Sequence, residues 1–373
     1  MSLRPIIIFG TRPEFIKLLP IIIALKKNNI KHYVCFTGQH EDLVNVIMRD
    51  FKITFSHKFK SSNNIGSLNL LSSSIINEVN DYLLKAKPSI VIVQGDTATA
   101  VATSFASFNL NIPVAHVEAG LRTFDKLNPY PEEIYRQIIS RISDFNFCPT
   151  KISQNNLLKE GIKKTSTYIS GNTVIDCLKL IKKKYFTEKY KNIFAKNFIK
   201  KYNFDINKQK FVFVTFHRRE NQGKNLTKFI NIIKSLSKKY SDYTFIIPVH
   251  SNPKIKKPLV DSLFDINNIN LLDPLSYIDC LYLISKSVLI ITDSGGLQEE
   301  APSFNKYVIV LRKVTERVES VNSGYSFLTN LNKKLIFERF DQIINMNNKK
   351  IITPYGRGNA AELIVKFLQK KIN

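Results

Sequence analysis

Apolar positions along the chain fall into short, nearly continuous runs separated by longer stretches with helical spacing. In the first half the runs cover residues 5–9, 33–37, 90–94, 114–118 and 145–149; in the second they cover 211–215, 244–249, 269–272, 288–292 and 308–311. Strands that lack an alternating polar face belong to parallel sheets covered by helices on both sides. The pattern therefore predicts an α/β protein of two doubly wound, Rossmann-like domains. Residues 181–210, rich in Lys, Tyr, Phe and Asn, separate the two sets of runs, and their helical spacing predicts helices rather than a loose linker. The expected boundaries are a first domain over 1–175, a helical connection over 176–204, a second domain over 205–355, and a last helix within 356–373 packing back on the first domain.

In such sheets ligands collect beyond the carboxyl ends of the strands, so the polar residues there are the candidates for chemistry. Gly10-Thr11-Arg12-Pro13-Glu14 follows the first run, with Lys17 further along the helix; Gly95-Asp96-Thr97 and Glu118-Ala119-Gly120-Leu121-Arg122 follow two others. In the second half His217-Arg218-Arg219-Glu220-Asn221, His250-Ser251-Asn252-Pro253 and Asp293-Ser294-Gly295-Gly296-Leu297-Gln298-Glu299-Glu300 occupy the same kind of position. The last turns directly into a predicted helix. Small residues let backbone approach an anion, the first helical turn offers unpaired N–H groups, and a carboxylate one turn on can accept from ribose hydroxyls. Taken alone, the same residues also make an ordinary strand-to-helix turn with an N-cap.

Composition narrows the partners. A formal net charge of +25 would suit a nucleic-acid surface, but the excess is lysine scattered through Asn- and Ile-rich helices, without interleaved glycine, arginine and aromatic residues. Nucleic acid is not an expected partner, while a polyanionic small substrate gains from the positive field. No apolar run reaches the roughly 18 residues that cross a bilayer, and the chain enters a strand pattern at once. A soluble, cytoplasmic protein with no membrane partner is expected. Cys35, Cys148, Cys177 and Cys280 have neither paired-thiol nor metal-ligand spacing and read as buried, reduced packing residues. His116, two residues before Glu118, reads as a packed histidine because no further ligand type lies near it. His32, His40 and His57 read as ordinary surface or core residues.

Several of these motifs resemble the non-hydrolysing UDP-N-acetylglucosamine 2-epimerase family: residues 10–17 (GTRPEFIK), 95–97, 116–123 (HVEAGLRT), Pro131-Glu132-Glu133 with Arg136, Gly171-Asn172-Thr173, 217–221, 293–302, Thr315-Glu316-Arg317 and Pro354-Tyr355-Gly356. The resemblance runs through nearly the whole chain. It implies a glycosyltransferase-B type fold, a UDP-sugar substrate in the interdomain cleft, no metal or other cofactor, and a homodimer. It also implies reversible inversion at carbon 2 of UDP-N-acetylglucosamine to give UDP-N-acetylmannosamine, through 2-acetamidoglucal. The alternatives are a 2-epimerase of a modified UDP-N-acetyl sugar, of the 2,3-diacetamido uronic acid or 6-deoxy type, or a glycosyltransferase of the same fold. A non-catalytic UDP-sugar sensor would need the phosphate turn but not three carboxylates in the first domain.

By the same resemblance Asp96, Glu118, Glu132 and His217 are catalytic. Arg12, Lys17, Arg136, Ser294, Gly295, Gly296, Glu300 and Arg317 hold the substrate, Glu300 through the ribose, with Lys17 and Arg136 positioning substrate or carboxylates. The flanking Glu14, Arg122, Glu133 and Glu299 read equally as caps or ion-pair partners. A second UDP-sugar site of the family finds only part of its residues here. Gln39, Arg219 and His250 match it, but Asp42 stands where a glutamine is expected and residues 59–67 (FKSSNNIGS) contain no arginine. Two further departures lie near the nucleotide loop, with Val318 where proline is usual and Lys313-Val314 replacing an acidic-Thr pair.

Overall fold

A computed structural model of the chain describes residues 2–38, 41–60, 66–218, 223–249, 252–346 and 350–372. The chain divides into two compact units, Met1–Lys179 with Tyr355–Asn373, and Leu180–Pro354. Each is built on one parallel sheet.

The first unit holds β1 (Pro5–Phe9), β2 (Tyr33–Phe36), β3 (His57–Lys58), β4 (Ile90–Gln94), β5 (Val114–Val117), β6 (Phe145–Cys148) and β7 (Thr167–Ile169). Their order across the sheet is β3-β2-β1-β4-β5-β6-β7. The helices in chain order are α1 (Arg12–Lys27), α2 (Glu41–Asp50), α3 (Leu68–Ala86), α4 (Ala98–Asn109), α5 (Glu132–Ile142), α6 (Lys151–Lys159) and α7 (Thr173–Tyr185). Every residue of β1 and β4 is buried, as the unbroken apolar runs require of strands covered on both faces. Ile6, Ile8, Val91 and Val93 pack with Ile75, Val79 and Leu83 of α3. Side chains of this kind contribute about 1.5–3 kcal/mol each when fully buried.

The second unit holds β8 (Phe211–Thr215), β9 (Thr244–Pro248), β10 (Ile269–Leu272), β11 (Ile290–Thr292), β12 (Val308–Val310) and β13 (Ser326–Leu328), in the order β10-β9-β8-β11-β12-β13. Its helices are α8 (Glu188–Tyr202), α9 (Lys224–Lys239), α10 (Pro253–Leu263), α11 (Tyr277–Lys286), α12 (Gly295–Glu300), α13 (Val318–Asn322) and α14 (Lys333–Ile344). The aromatic-rich segment is helical because its rings repeat every four residues. Tyr190, Phe194 and Phe198 stack along one face of α8, and Tyr190 and Phe194 meet Tyr282 of α11 edge-on.

The chain returns to the first unit as α15 (Ala360–Ile372). Asp176 of α7 accepts the N–H groups of Ala360 and Ala361 at 3.2 and 3.0 Å, capping this helix from a distant part of the chain. Phe367 then packs against Phe145, Phe147 and Tyr168.

Each of the ten expected runs carries a strand, though several end one residue early. The run 114–118 stops at Val117 because Glu118 takes φ +70°, a left-handed conformation outside any ladder. The strands with no counterpart in the pattern, β3, β7 and β13, are all at sheet edges. Cys35, Cys148 and Cys177 are buried as expected, whereas Cys280, on α11, is half-buried. Among the described residues no helix is long and apolar enough to cross a membrane.

Candidate active site

Strand order reverses between β1 and β4 in the first sheet and between β8 and β11 in the second, and a crevice opens beyond the carboxyl ends at each reversal. At the first, the turn after β1 delivers Arg12 and the turn after β4 delivers Asp96. At the second, the turn after β8 delivers His217 and the turn after β11 delivers Asp293 and Ser294.

The first crevice is organised around carboxylates. Glu118, at the end of β5, pairs with Lys17 of α1, and both are nearly buried. Its Oε2 accepts from Gln94 Nε2 at 2.6 Å and its Oε1 from Asn172 Nδ2 at 3.0 Å. Asp96 follows neighbouring β4 and receives Arg136 through Nε at 2.7 Å and Nη2 at 2.6 Å, both on Oδ2. The remaining arm of Arg136, Nη1, reaches Glu133 Oε2 at 3.0 Å. Glu133 is fully buried and also accepts the N–H groups of Thr123 at 3.0 Å and Phe124 at 3.1 Å. Glu132 opens α5 beside it, half-buried. The Arg136–Asp96 pair thereby fixes the first turns of α5 against the end of β4.

Glu14 braces two of the turns. Its Oε2 accepts from the N–H groups of Gly10 at 3.1 Å and Thr11 at 2.8 Å and from Thr11 Oγ1 at 2.8 Å, and its Oε1 accepts from Thr97 Oγ1 at 2.7 Å. The Thr97 hydroxyl also caps α4 by accepting from Ala100 N. One carboxyl thus ties the turn bearing Arg12 to the turn bearing Asp96. Burial pushes it up to about 7 despite these donors. Arg12 itself makes no ion pair or hydrogen bond through its guanidinium among the described residues. His116 is the packed residue its position suggested: Nε2 lies 2.8 Å from the Gly95 carbonyl, and burial pushes the ring down to about 4. Arg122 is a structural residue, joined to Glu160 at 2.7 and 2.9 Å. The glycine of the same motif, Gly120, has φ +88°, and a Cβ there would stand 2.2 Å from the Ser153 carbonyl oxygen.

In the second unit buried Asp293 organises the turn after β8. Its Oδ2 accepts the N–H groups of His217 at 3.0 Å and Arg218 at 2.9 Å, and its Oδ1 lies 3.2 Å from His217 Nδ1. The imidazole is thereby oriented with Nε2 on the edge away from the carboxylate. Ser294 stands at the N-cap position of the six-residue α12 without a side-chain capping bond, its N–H donating to Thr292 Oγ1 at 2.9 Å. The two glycines that follow have different reasons. A Cβ on Gly295 would lie 3.0 Å from Arg317 Nη1, whereas one on Gly296 would meet only Ser294 Oγ at 3.9 Å, an ordinary contact. A side chain at the first glycine would press on Arg317, whereas the second leaves ordinary space.

Four expected substrate contacts have partners within the protein, Lys17 on Glu118 among them. Arg317 donates through Nε to Glu299 at 2.9 Å and pairs with Glu316 through Nη1, and it is nearly buried beneath Gly295. Glu300 accepts from the hydroxyl of Tyr277 at 2.6 Å. Arg136 likewise grips Asp96 and Glu133. Gln39, Arg219 and His250 lie outside the described residues, as do the side chain of Asp42 and most of the segment 59–67. Sequence reasoning missed Gln94, Asn172 and Asp293 as supports. A polar residue closing the otherwise apolar run IVIVQ was the available signal for Gln94.

A family model described as UDP-N-acetylglucosamine 2-epimerase matches residues 23–369. A UDP-N-acetylglucosamine 2-epimerase of Neisseria meningitidis serogroup A is 40% identical over 376 residues, spanning 99% of this chain and 100% of the relative. One of Campylobacter jejuni is also 40% identical, over 387 residues, with 100% and 99% covered. The crystal structure of a UDP-GlcNAc 2-epimerase from Neisseria meningitidis bound to UDP-GlcNAc superposes with a TM-score of 0.94 at 39% identity, covering 99% of this chain and 100% of that one.

Proposed function

The chain belongs to the UDP-N-acetylglucosamine 2-epimerase family, and from this we propose that it interconverts UDP-N-acetylglucosamine and UDP-N-acetylmannosamine by inverting carbon 2. The proton on carbon 2 is barely acidic, because that carbon bears only an amide nitrogen, so direct abstraction is prohibitively slow. Elimination avoids the difficulty. A base takes the carbon 2 proton as the carbon 1–oxygen bond breaks; the C–H electron pair becomes the carbon 1–carbon 2 double bond of 2-acetamidoglucal, and the C–O pair leaves with UDP. UDP oxygen then re-adds at carbon 1 while a proton reaches carbon 2 from the opposite face.

The observation that carries this reading is the pair of carboxylates at the ends of adjacent strands, Glu118 against Lys17 and Asp96 against Arg136. Held in place by cations and amides, they are fixed before substrate arrives, as proton transfer at two faces of one carbon demands. With Glu132 they divide the base and acid roles. To Arg12 of the first unit, and to His217 and the 294–296 backbone of the second, we assign stabilisation of the departing diphosphate, where each lost donor costs about 3 kcal/mol. Glu300 supports the ribose end. Arg317 shapes the turn under Gly295 and from there serves the nucleotide.

The proposal includes a homodimer and a cytoplasmic location. Phe105 and Phe108 of α4 are exposed and line an apolar groove with Ile138 and Ile142 of α5, a surface suited to a second copy. Four free cysteines suit a reducing compartment. The decisive experiment is incubation with UDP-N-acetylglucosamine alone in heavy water. Deuterium at carbon 2 and appearance of the manno epimer are expected; an unlabelled, unchanged sugar overturns the proposal. Light scattering that returns the mass of one chain overturns the dimer alone.

A further inference from the structure

The motif Gly171-Asn172-Thr173 supplies one of the two amides on Glu118. The structure puts its asparagine at a junction. The Asn172 N–H donates to the Tyr355 carbonyl at 2.8 Å, and Tyr355, fully buried, is where the chain re-enters the first unit. The close approach needs the preceding glycine: Gly171 has φ +87°, and a Cβ there would stand 3.1 Å from the Tyr355 carbonyl oxygen. On the other side Asn172 Oδ1 accepts the N–H of Val174 at 3.0 Å, at the start of α7, the helix that leads out of the unit. Both crossings of the chain are anchored on this one residue.

The side-chain amide has a single orientation available. Because Oδ1 is committed to the Val174 N–H, Nδ2 must face Glu118 Oε1, to which it donates at 3.0 Å. Glu118 needs such support. A non-glycine residue at φ +70° is in a left-handed conformation that costs roughly 1–2 kcal/mol, so the surrounding contacts must over-determine it. Lys17 supplies charge to the carboxylate, while Gln94 and Asn172 supply direction, one amide to each oxygen.

We propose that Asn172 is a positioning residue for Glu118, setting the direction of the carboxylate from the point where the chain leaves and re-enters the first unit. This rests on the assignment of Glu118 to the proton-transfer step. Asn172→Ser keeps a hydroxyl that can cap α7 but cannot reach Glu118. Asn172→Asp keeps the shape and the cap but sets a second carboxylate against the first, which Lys17 already neutralises. Like charge in a buried site raises a carboxyl pKa.

The test measures kcat, KM, UDP affinity and the pH profile of the two variants beside the wild type, by deuterium incorporation at carbon 2. Asn172→Ser is expected to lower kcat at least tenfold, with KM and UDP affinity within threefold of wild type. Asn172→Asp is expected to move the acidic limb of the kcat profile upward by one pH unit or more, with partial recovery at high pH. Wild-type kcat in Asn172→Ser, or an unmoved acidic limb in Asn172→Asp, overturns the proposal. A purely structural role would instead lower UDP affinity and the denaturation midpoint together while leaving the limb in place. Should the wild type itself exchange no deuterium, the functional assignment fails, and the positioning role is read separately from the Glu118 carboxyl 13C titration. That titration must shift upward in Asn172→Asp, and an unchanged midpoint overturns the proposal on its own. If Asn172→Asp does not fold, Asn172→Ser decides by kcat.

Discussion

Glu133→Gln isolates the charge chain that runs from the loop at residues 123–124 through Arg136 to Asp96. Three donors converge on the Glu133 carboxylate, all at 3.0–3.1 Å, and the residue has no solvent exposure. A glutamine fits the same space but presents an NH2 group in place of one oxygen. Its least costly orientation turns that group toward the Phe124 N–H, leaving one donor pair opposed and Arg136 without its second carboxylate. An unsatisfied buried donor costs about 1–3 kcal/mol and the lost charge partner adds to it, so a total near 3 kcal/mol is expected. For a unit of roughly 200 residues that lowers Tm by about 6–12 °C. Arg136→Met should cost about 3–5 kcal/mol, since it leaves Glu133 buried and ionised with Asp96 only a quarter exposed. The double variant should cost about 2 kcal/mol less than the sum, because once the arginine is gone the carboxylate has no cation to lose. Urea denaturation of the four proteins measures this directly. Losses that add to within about 0.5 kcal/mol would show that Glu133 and Arg136 act independently and would refute the chain.

Asp96→Asn, Glu118→Gln and Glu132→Gln should each fold and bind UDP with near wild-type affinity by calorimetry while losing about a hundredfold or more in turnover; wild-type rates in all three would end their assignment. Glu14 makes stability depend on pH. Its carboxyl, raised to about 7 when folded and titrating near 4.5 when unfolded, holds a proton that the unfolded chain has released, so its contribution is present below about 4.5 and lost as pH rises through 7. Glu14→Gln should therefore gain on the wild type by about 3 kcal/mol between pH 4.5 and 7.5, and parallel stability curves would contradict this. The family's second UDP-sugar site is incomplete in this sequence, so pure UDP-N-acetylmannosamine should be converted promptly without added UDP-N-acetylglucosamine. A reaction that starts only after a trace of that sugar is supplied refutes the expectation.

The ten runs were legible because a parallel strand buried on both faces leaves a continuous apolar signature, as in PIIIF and IVIVQ. His57 and Lys58 left none, since a two-residue edge strand with both side chains exposed makes no demand on residue type. At the site, Asp96 and Glu118 were legible as polar residues where buried strands end. Of what holds them, Lys17 and Arg136 were implied by the resemblance, and the amides were not. Asn172 lies 54 residues from Glu118, and no local pattern encodes a contact at that separation. Arg317 is a second case: the resemblance implied a nucleotide contact, but the hold of Glu299, 18 residues earlier, on its guanidinium left no local sign.

The first unit is assembled from two stretches of chain, Met1–Lys179 and Tyr355–Asn373, with the second unit between them. On a ribosome moving at 5–20 residues per second, the intervening 354 − 179 = 175 residues take roughly 10–35 s to make. Throughout that interval Phe145, Phe147 and Tyr168 lack the ring of Phe367, and Asp176 lacks the two N–H groups it caps. The second unit, contiguous in the chain, is complete first. The nascent first unit meanwhile offers a vacant helix-sized berth to chaperones and to other chains. The stretch that closes it begins with Tyr355, whose carbonyl holds Asn172, so Glu118 acquires its full set of supports only as translation reaches the last helix.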